Sequence, residues 1–123
     1  MREIDVNLME NTVRDLCIKA NVVLPRSLEN CLTCSVMKEK SETGKEVLSD
    51  ICRNFKVAKE QNMAICQDTG MAVIFIEIGQ DVHFVGGSLY ESINKGVARG
   101  YKDGFLRCSV VSPLKSKPAF AGL

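Results

Sequence analysis

The apolar rhythm of this chain changes at Gly70, and that change limits the fold to a mixed one. Before it, apolar residues recur every three to four positions, the spacing of one helical face. From Asp5 to about Asn21 they are Met9, Val13, Leu16, Cys17 and Ala20, with Asp5 placed as N-cap and Ile4 and Met9 as a hydrophobic staple. A second helix is expected after Pro25, with Leu28, Cys31, Leu32 and Val36 on one face, and a third aligns Val47, Leu48, Ile51, Cys52, Phe55 and Ala58. After Gly70 the run MAVIFIEIG is β-branched and aromatic, too short for a long helix, and reads as a buried strand from Met71 to Ile78. Gly79, Gln80 and Asp81 turn the chain into a second strand, Val82 to Val85. Ser88 and Glu91 form an S-x-x-E capping box for a last helix, on which Tyr90, Ile93, Val97 and Tyr101 share a face and Gly104 is placed as the left-handed C-terminal residue. The expected class is α+β or α/β, a partial domain of three N-terminal helices, a short sheet and a capped helix.

The 123 residues have the size of one ordinary domain. Sixteen basic and 15 acidic residues leave a net charge of +1, which gives no basis for nucleic-acid binding. The polar start MREIDVNLMEN has no signal-peptide pattern, and no run approaches the roughly 18 apolar residues a membrane span needs, so a cytoplasmic protein is expected. In a reducing compartment the six cysteines stay thiols, and Cys17, Cys31 and Cys52 fall on apolar helical faces. The CLTC pair, Cys31 and Cys34, lacks the further ligands of a closed zinc site and reads as two thiols sharing a helical face. His83 alternates with Val82 and Phe84 in a strand and receives no role; Gly86 and Gly87 read as a tight strand-to-helix turn.

One stretch resists a structural explanation. In NMAICQDTG a thiol, an amide, a carboxylate and a hydroxyl stand in a row, from Cys66 to Thr69, between the third helix and the apolar run, and Gly70 closes the group. Loops at such junctions present side chains to ligands, and Cys66 is the candidate thiolate. Arg107, in GFLRCS after the last helix, can project from a loop as a two-pronged donor to a carboxylate, although most loop arginines are only solvated and the residues alone rank it as one of sixteen basic ones.

Together, CQDTG, the GQ-V---GG turn and strand, and a helix ending in LR resemble the N-terminal part of the class I, iron-sulfur-dependent fumarate hydratases, in particular the alpha subunit of their two-subunit form, a family shared with tartrate dehydratases. The resemblance covers residues 1–111, with 112–123 as a divergent, disordered tail. It implies that Cys66 is one of three thiolates of a 4Fe-4S cluster whose open iron binds substrate. It further implies that Gln67 hydrogen-bonds substrate, that Asp68 sits by the hydroxyl for proton transfer or orientation, and that Arg107 grips a substrate carboxylate; Thr69 and Gly70 have positioning roles only. The family supplies its other two cysteines from a later segment, where this chain instead reads KSKPAFAGL, and further substrate contacts from a beta part. Cys31, Cys34 and Cys108 stand at no family ligand position. The expectation is therefore a truncated hydro-lyase chain, inactive alone, acting on fumarate, tartrate or a related dicarboxylate once joined by a C-terminal segment or beta subunit in a homo- or hetero-oligomer. A non-catalytic helical interaction module, or a relic fragment, is the competing reading.

Overall fold

A computed structural model describes residues 1–66 and 71–109. Its elements run β1 (Arg2–Asp5), α1 (Val6–Val22), α2 (Arg26–Lys38), α3 (Glu42–Gln61), β2 (Val82–Val85) and α4 (Leu89–Asp103). All four expected helices form. Of the described residues, 1–18 and 71–109 make one compact unit and 19–66 a second, the division falling within α1.

In the first unit β1 and β2 pair in parallel, Arg2 opposite Val82 and Asp5 opposite Val85. Parallel neighbours need a long crossover between them, and here it is the whole stretch from α1 onward. The sheet therefore differs from the expected one: Val82–Val85 is a strand, but its partner is the N-terminal Arg2–Asp5, and among the described residues no ladder includes 71–78. The reason lies in exposure. Val73 is 70% exposed and Phe75 93%, and at the alternate positions Ile74 is 40% and Ile76 42% exposed, so side chains on both sides of the run face outward and it is not the buried strand its composition suggests. An exposed apolar run of this kind is a surface for association with another chain. The protein should accordingly self-associate with rising concentration in analytical ultracentrifugation, and Phe75→Lys should shift it towards monomer; an unmodified chain that sediments as a monomer throughout would refute this.

Asp5 ends β1 and begins α1, its Oδ1 accepting the Asn7 N–H at 2.7 Å, as an N-cap does. Val13 and Cys17 are buried on the inner face of α1, and Val97 and Tyr101 on that of α4. The two helices meet through glycine: a Cβ on Gly96 would lie 2.6 Å from the Glu10 carbonyl oxygen, and one on Gly100 2.8 Å from the Cys17 Cβ. Two ion pairs flank this contact, Arg14 Nε to Asp103 Oδ2 and Arg99 Nη1 to Glu10 Oε1, both at 2.6 Å. The hydrogen bond from Arg14 holds the Asp103 carboxyl below its ordinary pKa.

Ser88 caps α4 by accepting the Glu91 N–H. Its C-terminus departs from expectation, because Gly104 has φ −86° and the left-handed residue is Phe105, at φ 52°. Gly104 is required for space: a Cβ there would meet the Gly100 carbonyl oxygen at 2.9 Å and Ile18 Cγ1 at 3.0 Å. Phe105, 94% exposed, takes the left-handed turn one residue later. Gly86 at φ 89° and Gly87 at φ 152° form the strand-to-helix turn, conformations that a residue with a Cβ rarely adopts.

In the second unit α2 packs against α3. Ser41 caps α3, accepting the Gly44 N–H, and Asn62 ends it in the left-handed conformation at φ 52°. Phe55 and Ala58 are the buried residues of α3, whereas α2 buries none completely: Leu28 is exposed and Leu32 and Val36 are half-buried. No helix among the described residues is long and apolar enough to cross a membrane.

Candidate functional site

Cys66 is reached from the end of α3. The left-handed Asn62 reverses the chain, and the Met63 N–H donates to the Ala58 carbonyl at 2.9 Å. The Ile65 N–H then donates to the carbonyl of Asn21, near the end of α1, at 2.8 Å. The next amide, that of Cys66 itself, donates to the Asn54 side-chain Oδ1 at 2.9 Å. Three acceptors thus hold a four-residue segment that has no ladder of its own, and they hold it at the residue where the reactive cluster begins. The Cys66 thiol is free and exposed.

The other expected site residues fare differently. Gln67, Asp68, Thr69 and Gly70 lie outside the described residues, as does the 112–123 tail. Arg107 is exposed and follows Leu106, which is buried and whose N–H donates to the Tyr101 carbonyl at 2.9 Å. That bond fixes where the chain leaves α4, and no carboxylate among the described residues forms an ion pair with Arg107. Cys66 belongs to the second unit and Arg107 to the first.

The remaining cysteines divide by burial. Cys17 is buried in the α1–α4 contact, and burial pushes its thiol pKa up, keeping it protonated. Cys31, Cys34 and Cys108 are exposed and Cys52 is half-buried. Among the described residues no three His, Cys, Asp or Glu side chains gather as a metal-holding group. A groove between α2 and α3, lined by Val36, Met37, Cys52 and Lys56 among others, contains none of the expected site residues.

Asn54 is the residue that sequence reading passed over. Asparagine is a weak helix former whose side chain competes for backbone partners, so one in the interior of an amphipathic helix is a signal of a side-chain-to-backbone bond.

The family model for fumarate hydratase (fumerase) matches residues 10–119, and the chain belongs to that family. A protein of Methanocaldococcus jannaschii provisionally named L(+)-tartrate dehydratase subunit alpha is 34% identical over 107 residues, covering 86% of this chain and 38% of its own. The anaerobic class I fumarate hydratase of Escherichia coli K12 is 39% identical over 71 residues, 58% of this chain and 13% of its own. A Geobacillus stearothermophilus protein provisionally named class I fumarate hydratase is 29% identical over 100 residues, 80% of this chain and 19% of its own. The chain thus spans between about an eighth and two fifths of the relatives it matches.

Proposed function

We propose that this chain supplies one thiolate and part of the substrate site of an iron-sulfur hydro-lyase that interconverts fumarate and malate or dehydrates a related hydroxy-diacid such as tartrate. The observation that carries the reading is Cys66: a free, exposed thiol, held by its backbone at the start of CQDTG, in a chain of the fumarate hydratase family. A soft, accessible sulfur suits an iron-sulfur cluster, and this donor set fits one corner of such a group. When bound, the cluster would supply a Lewis-acidic iron at the substrate's oxygens.

The chain's own residues then divide the remaining work. Arg107, exposed and without a carboxylate partner among the described residues, would bind one carboxylate of the diacid through two parallel N–H donors. Gln67 would hydrogen-bond the substrate beside the thiolate. Asp68 would lie at the hydroxyl, orienting it or moving its proton. The ligands beyond Cys66, further substrate contacts and the proton-transfer partner would come from the rest of the relatives' length, either as a C-terminal segment or as a beta subunit.

The test is to express this chain with and without those segments, load the preparations with iron and sulfide under anaerobic conditions, and assay fumarate hydration and L-tartrate dehydration. The 123 residues alone should turn over neither substrate, and the completed assembly at least one. In that assembly Arg107→Met should raise KM for the diacid roughly 10- to 100-fold, the loss expected for a charged hydrogen-bonding partner. Turnover by the isolated chain, or an unchanged KM in Arg107→Met, would overturn the corresponding assignment.

A further inference from the structure

We propose that Asn54 is the positioning residue for Cys66: its side-chain amide sets the direction in which the thiol is presented. The inference rests on the reading of Cys66 as a cluster ligand and goes beyond it, because nothing in the CQDTG pattern reaches back twelve residues to α3.

The geometry is local to one compact unit. Asn54 is half-buried on α3, one residue before the buried Phe55, and the helix holds its Cα firmly in place. Its Oδ1 accepts the Cys66 N–H at 2.9 Å, within the ordinary range for such a bond. Fixing the N–H of a residue fixes its peptide plane and the direction of its N–Cα bond, so the thiol-bearing Cβ is left only the allowed rotations about that bond and its own staggered rotamers. The two preceding anchors, at Met63 and Ile65, are backbone to backbone and persist whatever side chains are present. Among the described residues the bond at Cys66 is the anchor of this segment that a side chain supplies, and a substitution at Asn54 removes it while the backbone-to-backbone bonds remain. Partners that orient a metal ligand typically change metal affinity by about 10- to 100-fold when removed, so a peptide clamp on the ligand residue has a measurable effect.

Two measurements test the proposal separately from the activity. In the full chain, amide exchange at Cys66 is followed by NMR for wild type, Asn54→Ala and Asn54→Asp. Loss of one hydrogen bond should speed exchange at Cys66 roughly fivefold in Asn54→Ala, leave the interior amides of α3 unchanged, and be reversed in Asn54→Asp, whose carboxylate keeps the acceptor. Unchanged exchange at Cys66, or equal acceleration throughout α3, overturns the clamp. In the iron- and sulfide-loaded assembly, the cluster absorbance should bleach about tenfold faster in air for Asn54→Ala and at the wild-type rate for Asn54→Asp. Equal bleaching in all three overturns the positioning role even if the clamp is present. A wild-type assembly that takes up no iron and sulfide overturns the ligand reading itself, and the positioning role with it, while the exchange result still decides whether Asn54 holds the Cys66 peptide.

Discussion

Cys66→Ser, placed in the completed assembly, should lower cluster occupancy and turnover together by at least about a hundredfold. The substitution is nearly isosteric and occurs at an exposed position, so the fold has little reason to respond. What changes is the donor. A thiolate is soft, polarizable and easily deprotonated beside iron, whereas a serine hydroxyl is a hard and far weaker acid. Iron content and the charge-transfer absorbance of the loaded assembly measure the first effect, and fumarate or tartrate turnover the second. Cys108→Ser and Cys34→Ser serve as controls, since both thiols are exposed and the proposed function gives neither a ligand role. Full occupancy and rate in Cys66→Ser would remove the central residue of the proposed function. Equal loss in the controls would point to general oxidation or unfolding instead.

Gly96→Val should destabilise the protein by about 3 kcal/mol, a large fraction of the roughly 5–15 kcal/mol that holds a domain of this kind together. The first added carbon already meets the Glu10 carbonyl oxygen at 2.6 Å and the Val13 Cβ at 2.8 Å. Neither obstacle is the end of a flexible side chain, so no rotamer change makes room; α1 and α4 must separate. Separation also lengthens the Arg14–Asp103 and Arg99–Glu10 pairs, which cross the same contact. Gly96→Ala should cost less, because alanine recovers up to about 1 kcal/mol of helix propensity. Urea unfolding followed by circular dichroism measures both variants, and wild-type stability in Gly96→Val would contradict the close packing of the two helices.

The candidate site was only partly legible in the sequence. Cys66 stood out because four reactive side chains in a row rarely help a core, and Arg107 because the family resemblance runs to the LR that ends on it; neither required three-dimensional information. Asn54 was invisible to that approach. Its role depends on α3 ending at Asn62 and the chain turning back, so that residues twelve apart come within hydrogen-bonding distance. Gly96 carries no local signal for a related reason: only the neighbouring helix makes its missing side chain necessary.

The sequence by itself determined the four helices and most of their caps, because the helical period and the Asp5, Ser41 and Ser88 side-chain bonds are interactions between near neighbours in the chain. It also determined the family, through a motif whose chemistry is contiguous. Tertiary structure alone decided which strands pair. The apolar run 71–78 has the stronger strand composition, yet the short, polar Arg2–Asp5 takes the place beside Val82–Val85. Strand pairing joins residues some eighty positions apart, and no local propensity records which of two distant segments a strand will meet.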